Sequence, residues 1–280
     1  MRSILCIMTD RNRAEGWKHA KLTGHKNEDL VTDLILSNIS VQNELLRCAN
    51  KSGKIDGIIE GGLCETSVSS ILSGSTKAKP DIRLRLNNDE SINISLKKSS
   101  GGQVYLITLE RFVVGFELQY GRKIPNDVKC AMSLFWGTSE KVLSIIEKYA
   151  VVEIDYQKRK HRLIKDTMDR YAPELVSAML NWFKDNIVEI FDFCFVRGLA
   201  KNPEDWADVL WYKNLLPGEE DGDTMFKLDE LKTKIKSSAD TVCYGNRTGG
   251  STILLPFGFV QWHQKQMQFH HSLRDLKSIY

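Results

Sequence analysis

The sequence has no CxxC pair, no apolar run of membrane length and almost no net charge, and each lack removes a class of protein. The six cysteines stand apart at 6, 48, 64, 130, 194 and 243, without the short spacings of a zinc site or a dense disulfide framework. They read as buried free thiols. No stretch approaches the roughly 20 apolar residues of a membrane span, and Met1–Asp10 lacks the apolar core and small-residue cleavage site of a secretory leader. The expectation is a protein of a reducing cytoplasm with no membrane partner. A net charge of +3 gives no general attraction for nucleic acid, so any such attraction must come from where the charges lie. No internal repeat or low-complexity tract is visible.

What is present is a globular chain of 280 residues, 42% hydrophobic and 27% charged, long enough for one large domain or two intimate subdomains. Charge is unevenly spread. The tail Cys243–Tyr280 carries Arg247, Lys265, Arg274 and Lys277 against Asp275 alone, with His263, His270 and His271 among them, and a second basic cluster runs from Lys158 to Arg162. A solvated face is the ordinary explanation of such clusters; a surface for DNA is the other.

Helical spacing of Leu30, Leu34 and Ile35, then Leu45 and Leu46, predicts a helix over Gly24–Asn50, with Asn27-Glu28-Asp29 suited to its first turn. Ile55–Glu60 reads as a strand, while Thr66–Ser75 is open between helix and loop. Asp81–Leu86, Ile92–Lys98 and Val104–Leu109 read as a β-meander. Thr138–Phe195 reads mainly as helices, one beginning at Pro173, and from Asp240 onward the chain turns to short extended runs. The expected fold is α/β (α+β), a mixed central β-sheet flanked by helices. The expected organisation is a single domain over 1–280, with a core at about 24–135, a helical middle at about 136–215 and a distinct C-terminal region at about 240–280.

The hairpin made by the first two runs is the most informative segment. Pairing around Asn87–Ser91 sets Leu86 opposite Ile92, Arg83 opposite Ser95 and Asp81 opposite Lys97. Period-two alternation then gathers Ile82, Leu84, Leu86, Ile92, Ile94 and Leu96 on one face and Asp81, Arg83, Arg85, Asn93, Ser95 and Lys97 on the other. A carboxylate and an ammonium so placed can address one phosphate. Phosphodiester hydrolysis needs a metal ion to polarise phosphate and water, and positive charge for the developing anion. Asp81 is the natural ligand for magnesium, with the Leu96 carbonyl as a second oxygen, and Lys97 can orient or activate the water. An exposed hairpin with a cross-strand ion pair accounts for the same pattern.

Pro80-Asp81, thirteen residues, then Ser95-x-Lys97 resembles the motif of the PD-(D/E)xK nucleases, with Ser95 where the second acid usually stands. Within them the chain resembles the small type II restriction endonucleases of the MspI-like, GCGC-cutting group, which carry a neutral residue there too. Lys97-Lys98-Ser99-Ser100, Gly24-His25-Lys26-Asn27-Glu28, Asn181-Trp182-Phe183, Val196-Arg197-Gly198, Asp205-Trp206-Ala207, Pro256-Phe257-Gly258-Phe259 and Lys265-Gln266-Met267-Gln268-Phe269 resemble segments of that group in the same order. The resemblance implies a restriction-endonuclease-like core and site-specific cleavage of double-stranded DNA, dependent on Mg2+, at a short, palindromic, GC-containing site with 5′-phosphate ends. It also implies a bacterial host, a companion DNA methyltransferase, and a monomer or weak homodimer. It makes Glu28 a supporting acid, although a charge in a first helical turn explains that residue as well. Glu60 and Glu65 remain open as alternatives for completing the metal site.

The tail holds the residue types that read base edges and grip phosphates. Gln261, His263, Gln264, Lys265, Gln266 and Gln268 alternate with Trp262, Met267 and Phe269, as if along a strand with one side to a groove. The candidates for DNA contact are Gln261, His263, Lys265 and Gln268, with Lys98, Ser99, Ser100 and Gln103 beside the hairpin. Gly101-Gly102-Gln103 reads as a flexible loop. Trp182 and Trp206 read as core.

Overall fold

Asn38 decides how the chain begins. Its side chain accepts from the amides of Ser40 (3.0 Å) and Val41 (3.3 Å), which starts a new helix at that point. What patterns as one helix is therefore two, α1 (Arg13–Ser37) and α2 (Ile39–Ala49), and α1 starts well before the predicted first turn at Asn27. The computed structural model describes residues 13–60, 67–149, 162–218, 222–247 and 249–280. Cys6, Cys64, Glu65, Lys158–His161 and the side chain of Glu60, all singled out in the sequence, lie outside what is described.

The chain continues through β1 (Ile55–Glu60), β2 (Ser67–Ser69), β3 (Ser75–Lys77), β4 (Ile82–Leu86), β5 (Ser91–Lys97), β6 (Gly101–Thr108), α3 (Leu109–Tyr120), α4 (Asn126–Phe135), α5 (Val142–Lys148), α6 (Lys165–Tyr171), α7 (Pro173–Asp185) and α8 (Ile187–Asp192). A π-helical turn, Phe193–Arg197, follows, and then β7 (Val209–Tyr212), β8 (Thr224–Lys227), α9 (Leu228–Ser237), β9 (Cys243–Tyr244), β10 (Thr252–Leu255), β11 (Gly258–His263), β12 (Gln266–Ser272) and α10 (Leu273–Ile279). The stretch left open in the sequence is the small antiparallel ribbon β2–β3. Pro173 opens α7 as expected.

A mixed five-stranded sheet flanked by helices is present, ordered β1-β4-β5-β7-β8 with β5 and β7 parallel. Val31 and Ile35 of α1 and Leu45 of α2 cover one face, packed on Ile82, Leu84, Ile92, Ile94, Val209 and Trp211. The predicted meander is not formed. β6 leaves after Ser99-Ser100 and pairs antiparallel with β12 in a second sheet, ordered β6-β12-β11-β10-β9. Every residue from Ile92 to Leu96 is buried, so β5 has a strand on each side and covering on both faces. Alternation in the 104–109 run could not disclose that its partner lies about 160 residues away. Gly101-Gly102-Gln103 is likewise no loop but the first paired stretch of β6, Gly101 lying opposite Ser272 and Gln103 opposite His270.

The tail is a hairpin rather than one strand. Gln264 and Lys265 both have positive φ, 50° and 65°, the two-residue turn whose twist suits paired strands. A two-residue turn preserves parity, so Gln261 pairs with Gln268 and His263 with Gln266, and all four still share the outward face. Lys265 is exposed at the tip, off the strand on which it was expected. Met267, Phe269 and His271 point inward to the larger core, where Phe112 meets Phe193 edge-on at 5.5 Å and Phe116 meets Trp182 at 5.1 Å. Trp182 is core as expected. Trp206 is only half-buried, with Arg197 over its ring at 4.0 Å. Of the cysteines, Cys48 and Cys194 are buried but Cys130 and Cys243 are exposed, since they fall on the outer sides of α4 and the edge strand β9. No helix among the described residues is long and apolar enough to cross a membrane.

Asn27, fully buried, anchors α1 to the end of β7: its amide donates to the Lys213 carbonyl (2.8 Å) and its oxygen accepts from the Leu215 amide (2.8 Å). Asn27→Ala strands both backbone groups, and the expected loss is about 2–4 kcal/mol. Urea unfolding of the variant measures it; a loss under about 0.5 kcal/mol contradicts the anchoring role.

Candidate active site

The turn sets the hairpin register. Asp89 has φ 65° and the Leu86 amide donates to the Glu90 carbonyl at 2.8 Å, a three-residue loop closed by a left-handed residue. Ile82 therefore faces Ile94, Arg83 faces Asn93 and Leu84 faces Ile92. This is two residues away from the predicted register, which had Arg83 opposite Ser95 and Asp81 opposite Lys97. A slip of two conserves faces, so the predicted apolar and polar sides survive.

The polar side divides into a structural end and an open end. Arg83 donates to Asn93 Oδ1 (3.0 Å) and Asp205 Oδ1 (3.0 Å), and Asn93 donates to the Glu204 and Trp206 carbonyls (2.8 Å each). Arg85 makes an exposed pair with Asp56 at 3.3 Å. At the open end, beyond the last ladder pair, the Asp81 carboxylate accepts from the Leu96 amide at 2.7 Å. The Lys97 ammonium donates to Ser95 Oγ (2.8 Å) and the Leu96 carbonyl (2.9 Å), and lies 3.5 Å from Asp81 Oδ2. Asp81, Ser95, Leu96 and Lys97 are thus brought together as the sequence suggests, with the register compensated by the length of the lysine.

Glu28 arrives from α1, one residue after the Asn27 anchor. It is mostly buried, and its carboxylate meets His25 Nδ1 at 3.2 Å. Burial, then the nearby charge of Asp81, push its pKa up to about 7, opposed by His25 and Lys97. Two acids whose charges are felt mutually, with a lysine beside them, are a common arrangement of functional sites. Lys98 ties the end of β5 to the same helix through Thr23 Oγ1 at 2.6 Å.

A cleft of about 510 Å3 opens from Asp81 and Lys97 between the two sheets, lined also by Lys77, Lys79, Tyr105 and Arg111. Four basic side chains face it and one carboxylate. Sequence reading missed Lys79, Tyr105 and Arg111. Lys79 was within reach, two residues before Asp81 in an extended pre-proline segment; Arg111 was not, since α3 brings it in from another sheet. Burial lowers the Lys79 pKa to about 7, although the Tyr105 ring 3.4 Å beneath the ammonium favours the charged form.

The other candidates fall elsewhere. Gln103, Gln268 and Gln261 form a chain across β6, β12 and β11: Gln268 Nε2 donates to Gln103 Oε1 at 2.7 Å, and Gln261 Nε2 to Gln268 Oε1 at 2.9 Å. His270, not among the expected residues, ends it 3.2 Å from Gln261 Nε2 and stacks on Phe259 at 4.5 Å. His263 lies on this outward face, half-buried. Ser99 and Ser100 are exposed at the crossover; Ser99 Oγ donates to the Gly101 carbonyl at 2.9 Å and the Ser100 carbonyl accepts from Leu273 at 2.7 Å. Behind the site, Tyr212 of β7, the register partner of Lys97, shares a 2.9 Å hydrogen bond with His271 Nδ1 of β12. Burial pushes the His271 pKa down to about 3, so the ring is neutral.

Among the described residues no three His, Cys, Asp or Glu side chains gather as a ready metal cage. Magnesium does not require one: it keeps several waters and takes one or two carboxylates with substrate oxygens. The oxygens of Asp81, the Leu96 carbonyl and Glu28 are hard donors, which suit Mg2+ and also Ca2+ or Mn2+. Lys97 bridges the very oxygens such an ion would share, so the two positive charges compete for them.

The raised Glu28 pKa has a sign. A carboxyl whose folded pKa lies above its unfolded value of 4.5 stabilises the fold below that value, and the stability is lost as pH rises toward 7. In chelator, Glu28→Gln is expected to be more stable than wild type at pH 8 by about 1–3 kcal/mol and equal to it at pH 4. Parallel denaturation curves at both pH values decide this; a difference that does not change with pH rules it out.

No family model and no curated protein matches the chain. Among solved structures, the restriction endonuclease MspI in complex with its cognate DNA aligns with it at 14% identity and a TM-score of 0.45, over 82% of this chain and 77% of that one. A superposition this loose assigns no role to any residue.

Proposed function

We propose that the chain is a magnesium-dependent endonuclease cutting both strands of DNA at a short, palindromic, GC-containing site, as a type II restriction endonuclease. The observation that carries this is the meeting of the Asp81 carboxylate and the Lys97 ammonium at the mouth of a cleft otherwise lined by Lys77, Lys79 and Arg111. Cations in such excess attract a polyanion, and the single carboxylate among them is the group a hard cation requires.

In this reading Asp81 and the Leu96 carbonyl would hold magnesium, with Glu28 as the supporting acid, and the ion would supply polarisation of the phosphate and of water. Lys97 holds the attacking water or a phosphate oxygen by one of its three donors, while Ser95 Oγ keeps the ammonium aimed once the Leu96 carbonyl is given over to the ion. Water attacks phosphorus, the bond to O3′ breaks, and the products are a 3′-hydroxyl and a 5′-phosphate. Ser95 in place of a second acid lowers the negative charge at the metal and so its expected affinity. The outward face of the second sheet, with Gln103, Gln261, His263 and Gln268, and Lys265 at its tip, reads base edges, and Lys98, Ser99 and Ser100 contact backbone beside the cut. The single-domain division into core, helical middle and C-terminal recognition region belongs to the same reading. So do a bacterial cytoplasmic setting, a protective methyltransferase, and action as a monomer or weak homodimer.

Unmethylated phage DNA incubated with the protein is expected to give fragments of discrete size only when magnesium is added. Lys97→Ala is expected to slow cutting by roughly 10²–10³-fold or more while DNA affinity, measured without magnesium, changes little. Smearing or single-strand nicks in place of discrete fragments would instead identify a repair or nicking enzyme. Intact DNA at every metal concentration, with binding retained, would make the chain a binding module whose site is degenerate at Ser95.

A further inference from the structure

Lys79 has no part in the chemistry above, yet its side chain is closely packed in the cleft wall. Its ammonium lies 3.4 Å from the centroid of the Tyr105 ring. Its stem crosses Gly198, where a Cβ would come within 2.8 Å of Lys79 Cε and 3.3 Å of Cγ. Gly198 has φ 56° and ψ −129°, a conformation open only to glycine, so the backbone after the π-helical turn is shaped to leave this channel. Three parts of the fold thus hold one lysine: the segment before β4, the strand β6 and the end of the π-helical turn. Among the described residues the ammonium makes no ion pair and no hydrogen bond; the ring is its partner. A half-buried ammonium with an aromatic ring on one side and no anion has room for one, because a counter-charge offsets burial more fully than a ring face does.

The chain from Lys79 to Asp81 spans at most about 7 Å, and both side chains line the same cleft. We propose that Lys79 binds a backbone phosphate of the nucleic acid next to the one held at Asp81 and Lys97, with Tyr105 as the platform that aims it. This rests on the nuclease reading of the cleft. It makes Lys79 a positioning residue: it draws the strand across Asp81 and takes no part in bond breaking. Because Tyr105 lies on β6, directly opposite Phe269 of β12, the same contact links the gripped strand to the sheet that carries the glutamine chain.

The test uses the full-length protein and a fluorescein-labelled DNA duplex of random sequence, with affinity measured by anisotropy without magnesium over about 50–200 mM salt. Loss of one phosphate contact lowers the slope of log affinity against log salt by about 0.9, so the advantage of wild type over Lys79→Gln is expected to shrink about threefold across that range. Lys79→Arg keeps the charge and is expected to keep the slope. Lys236→Gln, an exposed charge on α9 that does not line the cleft, is expected to leave it unchanged. A Lys79→Gln slope equal to wild type, in a protein that binds DNA, overturns the inference and spares the nuclease reading; a wild type that does not bind the duplex even at the lowest salt overturns both. Should Lys79→Gln fail to fold, amine acetylation of wild type followed by mass spectrometry decides: Lys79 is expected to be protected by DNA, and equal labelling with and without DNA refutes the contact.

Discussion

Strand β5 has no exposed face, and most of the molecule is arranged around that constraint. On one side Ile92, Ile94 and Leu96 pack under α1 and α2, as any amphipathic strand would. On the other side stand Asn93 and Ser95, polar but just as buried. A buried amide without partners costs about 1–3 kcal/mol per stranded group, so this face must be supplied with hydrogen bonds. The loop 203–208 supplies them: its carbonyls take both N–H bonds of the Asn93 side chain, Arg83 donates to its oxygen, and the Asp208 carboxylate accepts from the Asn93 backbone amide at 2.8 Å. The bonding stops at Ser95, whose hydroxyl turns to Lys97 and so to the cleft. The same strand is fully bonded scaffold at its start and opens onto the cleft at its end.

That division also explains how much was legible in the sequence. Alternation in Ile82–Leu86 and Ile92–Lys97 correctly sorts the two faces, and a two-residue error in register does no harm because parity alone selects the face. That the acid and the lysine share a face is therefore legible from local pattern, while their reading as a site comes from the motif they resemble. The partner of β6, the parallel joining of β5 to β7 and the arrival of Arg111 are not, since each depends on contacts far apart in the chain or between sheets. Asn27 illustrates the limit. Its residue type suits a helix start, yet it sits inside α1 and directs its side chain to Lys213 and Leu215, where tertiary packing outweighs local preference.

Glu28 gains its position from that same anchor. A helix held at Asn27 carries the next residue to a fixed depth against the end of β5, and the depth is what raises its pKa. Burial opposes the ionisation of this acid, a cost that a cation bound beside it would relieve. The second sheet contributes in a similar way: its outward glutamines are tied head to tail, so their orientations are set as a group before anything binds.

The crossover from β5 to β6 takes only Lys98, Ser99 and Ser100, and the Tyr212–His271 hydrogen bond closes the gap between the sheets a second time. Both ties are short: three residues of chain in one case and one side-chain hydrogen bond in the other. β12 therefore cannot shift against β7 without stretching the Tyr212–His271 bond, and the surface with the glutamine chain is joined to the strand of Lys97 at two points.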